Sequence, residues 1–435
     1  MSFPKFKLIT LKNKMRVLFV PIKNSHTLGA TVNIDSGFFE ETKAENGLAH
    51  YLEHIIAKHL IKKSIIEQLE QKNIFFETNA STNTYRTNYR IYGDAMHADI
   101  IIKQLLEMYN FSEEDLDLDV FKKEKVAVIV ELKKILSSTD KRVAYKDIPE
   151  MMFGKRSKLI NDLIDEIKTV RNFKPKDLFR FIKKHYIPEK TVITIIGKFN
   201  QAKVLKYIES HVPPRITPQK IPKRIIPIKK NTTPQYLYVK DTGKKLYNVT
   251  LRLFCPTLDD PKSVGKLNIL SKMLTGISDL SILKHRLRTK LGSIYSISTS
   301  IETNPYYGIF SISYSIEIQN FFKTLIEIIL VLNELKEGLF NPKLIKIAKQ
   351  KYLLYLKNIL NSSNPRLYYH YSNMVLNKED LDNPQEYYDK YIKDITKQHI
   401  VNLCKKIFNK NNLYMCAVGP NPLKPETVIN VLSKL

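Results

Sequence analysis

Tryptophan is absent from this chain, and cysteine and glycine are scarce at 3 and 13 of 435 residues. Cys255, Cys404 and Cys416 are odd in number and widely scattered, which excludes a disulfide framework and makes a reducing compartment the simplest expectation. So little glycine excludes a collagen-like chain, and 43% hydrophobic residues with 24 Tyr and 20 Phe exclude a disordered one. No apolar run approaches the roughly 18 residues that a spanning helix needs. The best stretch, Thr324 to Leu335, is broken by Glu327 and Asn333. The opening residues, MSFPKFKLITLKNK, carry neither the apolar centre of a signal peptide nor the Arg/Ser-rich character of a transit peptide. A globular protein of the cytoplasm or another reducing intracellular compartment, without a membrane span, is therefore expected.

Positive charge is in excess, with 70 Lys plus Arg against 43 Asp plus Glu, a net charge of +27. The excess is mostly Lys spread along the chain. No compact basic block with interleaved aromatics marks a specific nucleic-acid surface, so none is expected.

The length suffices for two or three domains with real cores. A Pro-rich stretch, with Pro213, Pro214, Pro218, Pro222, Pro227 and Pro234, reads as an extended linker over 213–235. The sequence on either side repeats. A single constant offset places Leu178 on Ile400, Phe181 on Leu403, Ile182 on Cys404, the pair Lys183-Lys184 on Lys405-Lys406, and Gly197 on Gly419. Both copies read as an amphipathic helix, a short polar turn and an apolar strand (TVITIIG and LYMCAVG) closing on Gly. The repeat takes up about half the chain, far too long for a solenoid. It implies duplication of a whole domain, with a first domain over 1–212 and a second over 236–435. Strand patterns such as MRVLFVPI, ATVNIDSG, YNVTLRLF and GIFSISYSIEI alternate with long helical patterns, among them Glu113 to Leu136. Each half is thus an α+β domain, a mostly antiparallel sheet packed with helices.

The chemistry concentrates in GLAHYLEHIIAKHL. His50 and His54 stand four residues apart, on one face of a helix, where both reach a single metal ion. Glu53 lies on the adjoining side of the same turn, placed to take a proton from metal-bound water. The pattern H-x-x-E-H is the inverted zincin motif. A catalytic zinc needs a third protein ligand. Well beyond His54, the helical run FKKEKVAVIVELKKIL supplies Glu131, with Glu124 two helical turns before it on the same face.

This constellation, with its interval from His54 to Glu131, resembles the M16 zinc peptidases, the family of pitrilysin, insulinase and mitochondrial processing peptidase, in its single-length two-domain form. The resemblance implies a LuxS/MPP-like metallohydrolase fold whose two halves enclose a peptide chamber. It implies one Zn2+ per chain held by His50, His54 and Glu131, with Glu53 as general base and Glu124 as a supporting carboxylate of the catalytic site. FFETNASTNTYRTNY is similar to the family's substrate-binding strand, which implies that Asn79, Ala80, Ser81 and Thr82 hold extended peptide by strand addition. HRLRTKLGSIYSIS is similar to the family's Arg-x-x-x-Gly-x-x-Tyr segment, which implies that Arg288 orients peptide carbonyls and Tyr295 hydrogen-bonds the oxyanion, with Gly292 between them. Hydrolysis of short or unfolded peptides is the implied activity, by the chain as a homodimer or paired with a homologous subunit. The rival reading is a catalytically silent structural or regulatory subunit on the same fold, a type that usually loses the ligands retained here. Two departures stand out. After His54 the chain continues IIAKHLIKKS where the family has an aromatic residue and a Gly–Thr turn, and the second half has no H-x-x-E-H.

Overall fold

The run TVITIIG is apolar at nearly every position, as expected of a central strand with both faces covered, and all seven of its residues are buried. In the computed structural model it forms a strand of a six-stranded sheet. The strands are β1 (Lys7–Thr10), β2 (Arg16–Pro21), β3 (Thr27–Ile34), β4 (Phe76–Thr82), β5 (Thr87–Asp94) and β6 (Thr191–Gly197), in the order β1-β2-β6-β3-β5-β4. Strand β2 runs parallel to β6, and every other pairing is antiparallel. Gly197 closes β6 at φ 127°, and a Cβ there would stand 2.5 Å from the Thr27 carbonyl oxygen. That close approach accounts for the Gly. The structure describes residues 5–61, 67, 69–155, 157–160, 162–213, 224, 226, 228, 231–294, 296–361 and 367–435.

The second sheet is built from β7 (Gln235–Lys240), β8 (Tyr247–Cys255), β9 (Ile297–Thr303), β10 (Gly308–Ile316) and β11 (Leu413–Gly419), in the order β7-β11-β8-β10-β9. Its connectivity matches the first sheet without β1, including one parallel pair, β7 with β11. The offset that aligns the two halves of the sequence carries the helix Pro175–His185 onto Lys397–Ile407 and β6 onto β11, end to end. The fold is α+β and duplicated, as the sequence indicates.

Each sheet has its own core. In the first, Val17, Phe19, Ala30, Val32 and Tyr89 are fully buried against helices that include Leu48–Leu60 and Pro175–His185. In the second, Val249, Leu251, Phe310 and Ile312 pack with Leu325, Ile328 and Leu332 of the helix Phe321–Lys336.

Continuous blocks at 1–212 and 236–435 do not describe how the compact units are assembled. One unit gathers Met1–Ser138, Asn161–Pro222 and Leu360–Leu381, and the other Thr139–Ile160, Lys223–Ile359 and Asp382–Leu435. Each therefore borrows a segment from the opposite half of the sequence. In the first unit the helix Tyr368–Asn377 lies on β3 and β6. Ser372 donates to Thr194 Oγ1 at 2.7 Å, Arg16 to the Val375 carbonyl at 3.2 Å and Arg86 to Asn373 Oδ1 at 2.6 Å. In the second unit the short helix Ile148–Phe153 sets the Phe153 ring 5.4 Å from Phe254 and 5.1 Å from Tyr307. Most of the Pro-rich stretch falls outside the described residues.

Candidate metal centre

Helix Leu48–Leu60 buries Leu48, Ala49, Tyr51, Leu52, Ile55, Ile56 and Leu60 and leaves His50 and His54 half-buried at its rim. Its first turn is fixed from outside. The N–H groups of Gly47 and Ala49 donate to the Glu41 carboxylate at 2.8 and 2.7 Å, satisfying donors that the start of a helix leaves open. Burial pushes the Glu41 carboxyl well above the usual carboxylate range, against the pull of those two bonds.

Across from this helix runs Leu118–Ser137, started by Asp117, whose side chain accepts from the N–H groups of Asp119 and Val120. Phe121, Val128 and Leu132 bury its inner face, and the Tyr51 hydroxyl donates to the Phe121 carbonyl. That packing sets Glu124 and Glu131 opposite the histidines. Glu131 Oε2 lies 3.8 Å from His50 Nε2 and 3.7 Å from His54 Nε2. One ligand atom from each of the three residues falls within 4.8 Å of the others. Zinc bonds of about 2.1 Å in a tetrahedron separate neighbouring ligands by about 3.4 Å, so the donor set closes on zinc with a small inward shift.

The opposite ring nitrogens are also engaged. His54 Nδ1 is 3.0 Å from Glu124 Oε2, and His50 Nδ1 is 3.2 Å from Glu166 Oε1 on the helix Leu163–Asn172. Each imidazole thus keeps Nε2 for the shared point at Glu131. Neutral imidazole, carboxylate and an exposed approach form a donor set suited to zinc.

Burial alone would lower the His50 pKa, but the carboxylates of Glu131 and Glu166 outweigh it and raise it to about 10. His54 is raised the same way, with Glu131 and Glu124 overcoming its burial. The two imidazoles in turn hold Glu131 far below the usual carboxylate range. Without metal, a proton therefore occupies the His50 nitrogen that a metal needs. Zinc titrated into the metal-free protein at pH 7 should expel the His50 proton, and its affinity should fall as the pH falls. Calorimetry in buffers of different ionisation enthalpy reads this directly, and a binding enthalpy independent of buffer would contradict it.

Glu53 is 8% exposed, and burial raises its pKa against the opposing charges of His50 and His54 and a hydrogen bond with Thr82. With His54 it borders a cavity of about 430 Å³ whose walls include Ala57, Asn79, Ala80 and Tyr89. Asn79, Ala80, Ser81 and Thr82 all lie on β4, which is the last strand of its sheet and pairs only with β5 among the described residues. Thr82 Oγ1 is 3.5 Å from the Ala49 carbonyl, tying the strand to the histidine helix, while Ser81 Oγ accepts from Asn88 Nδ2 at 2.6 Å.

The expected residues of the second half stand differently. Arg288 is exposed in the turn His285–Lys290 of the second unit, 3.7 Å from Asp279, and Gly292 follows at φ 58°. Tyr295 lies outside the described residues. Sequence reasoning missed Glu41 and Glu166. Glu166 belongs to no motif, and its only sequence signal is Gly47. A Cβ on Gly47, at φ 88°, would stand 2.4 Å from Glu166 Cγ.

Residues 16–160 match the family model described as insulinase (peptidase family M16), and residues 172–352 match the one described as the peptidase M16 inactive domain. The chain belongs to the M16 peptidase family. Among its relatives, mitochondrial-processing peptidase subunit beta of Saccharomyces cerevisiae is 26% identical over 209 residues, 46% of this chain and 43% of that one. The uncharacterized zinc protease YmxG of Bacillus subtilis is 26% identical over 197 residues, 45% of this chain and 47% of that one. The match thus spans less than half the length of these curated relatives. In fold, a protease from Helicobacter pylori superposes with a TM-score of 0.81 at 20% identity, over 96% of this chain and 100% of that one. In this M16 chain the helix after β8, Pro261–Ser271, stands where the histidine helix stands after β3, and it contains neither His nor Glu.

Proposed function

We propose that this M16 family member is a zinc-dependent endopeptidase that hydrolyses peptide bonds in short or unfolded peptides. The observation that carries the reading is the convergence of His50 Nε2, His54 Nε2 and one Glu131 oxygen, with the buried Glu53 carboxyl on the same helix as the histidines. His50, His54 and Glu131 would hold the zinc, which when bound supplies Lewis acidity, polarising a carbonyl and acidifying water. Glu53 takes the proton from the attacking water and passes it to the leaving amine. Burial raises its pKa, and that shift favours its acting first as the acceptor and then as the donor of the proton. The edge of β4 that pairs with no other strand among the described residues receives an extended peptide main chain to main chain, beside the cavity that Ala80 and His54 border. An edge strand recognises backbone, which only an unfolded segment presents, so folded proteins are poor substrates.

YmxG is named a zinc protease, and retention of all three ligands and the base favours catalysis over a silent role. Relatives named as beta subunits support assembly with a second chain, either another copy or a homologous subunit. Three cysteines without a disulfide fit a reducing compartment.

Purified protein should cleave internally quenched fluorogenic peptides with about one zinc per chain. A chelator should stop cleavage, and stoichiometric zinc should restore it. Cleavage that persists after the metal has been shown by elemental analysis to be gone would remove the proposal.

A further inference from the structure

The two histidines are held in the same way from behind, but only one of the two supports belongs to a recognisable motif. Glu124, on the same helix as Glu131, faces His54; Glu166 reaches His50 from the separate helix Leu163–Asn172. The Glu166 side chain has no exposure at all, a place where a carboxylate is kept only for a partner. Its position is fixed at several points. Asn46 Nδ2 donates to the Asp162 carbonyl at 3.1 Å, the Thr169 hydroxyl donates to the Asn46 carbonyl, and Gly47 leaves the space that Glu166 Cγ fills. The helix is thereby bound to the first turn of the histidine helix, next to His50.

A neutral imidazole carries a single N–H. A carboxylate at Nδ1 retains that proton there and frees the Nε2 lone pair. We infer that Glu166 is a positioning residue that accepts the His50 Nδ1–H and so fixes the tautomer and ring orientation in which Nε2 faces the metal position. This rests on the metal-centre reading above and extends it: the site has two carboxylate–histidine supports arriving on two different helices. Loss of such a support elsewhere costs about 10- to 100-fold in metal affinity.

The test uses the full chain and zinc alone, without peptide. Zinc affinity is measured by competition with a chromogenic chelator for the parent, Glu166→Met and Glu166→Gln. Met keeps the volume and offers no acceptor, so affinity should fall by about 10- to 100-fold. Gln keeps an acceptor oxygen and should remain within a few-fold of the parent, a rescue that simple packing loss would not show. In parallel, long-range 15N–1H spectra of histidine-labelled, zinc-loaded parent protein should show a protonated Nδ1 and a metal-bound Nε2 for His50, identified by its absence in His50→Ala. Parent-like affinity in Glu166→Met, equal losses in the Met and Gln variants, or an unprotonated His50 Nδ1 would each overturn the inference. Should Glu166→Met fail to fold, the Gln comparison and the parent spectrum still decide. A parent that takes up no zinc removes the metal centre itself. A parent that binds zinc as described but cleaves no peptide removes only the endopeptidase reading.

Discussion

Glu53→Gln should lower peptide turnover by at least about a hundred- to ten-thousand-fold while leaving zinc content near one per chain. The amide has the shape of the carboxyl and can still hydrogen-bond Thr82, so the helix, the two histidines and Glu131 keep their places. What it lacks is a site for the proton released by the attacking water. Burial already disfavours the charged form of Glu53, so exchanging it for a neutral group removes a cost of folding. The variant should accordingly melt at the parent temperature or slightly above it. Turnover, elemental analysis and thermal denaturation on one preparation separate the possibilities. Parent-like turnover would show that another group carries the proton, and loss of zinc together with activity would show that Glu53 acts through the metal site.

Glu131→Ala should behave in the opposite sense, losing the metal and sparing the fold. The Glu131 side chain is 51% exposed, and solvent screens its pairing with the histidines, so its removal should change metal-free stability little. Of the three proposed ligands the zinc would lose the one carboxylate, and the two imidazoles lose the negative charge that faces both of them. The drop in zinc affinity should exceed the roughly 10- to 100-fold expected for losing a carboxylate behind a histidine. Dialysed protein should then contain no stoichiometric zinc and show no cleavage, with partial activity returning only at high added zinc. Comparison with Glu124→Ala separates the roles, because Glu124 reaches the metal position only through His54 Nδ1. A Glu131 variant that holds zinc as tightly as Glu124→Ala would place the third ligand elsewhere.

Much of this is legible in the sequence because its signals are local or periodic. Four-residue spacing on a helix puts His50 and His54 together whatever the tertiary fold, and one constant offset pairs β6 with β11 because both are central strands covered on two faces. Glu131 is reached through the interval that the family resemblance supplies, since helical periodicity alone does not say which helix stands opposite. Glu166 is beyond reach for the same reason. It is remote in sequence from His50, in a helix whose pattern looks like any solvated amphipathic segment until its buried face is known. The exchanged segments are illegible too. Tyr368–Asn377 and Ile148–Phe153 have ordinary local patterns, and only the outer faces of the two sheets determine where each belongs.

That exchange governs how the molecule comes apart. A cut anywhere in the Pro-rich stretch yields two fragments, and the amino-terminal fragment lacks the helix that covers β3 and β6, while the carboxy-terminal one lacks the helix whose Phe153 packs on Phe254. Neither fragment encodes a finished layer, so each would leave part of its sheet without the helix that covers it. The duplicated halves are therefore tied together by exchanged segments and are not two self-contained modules.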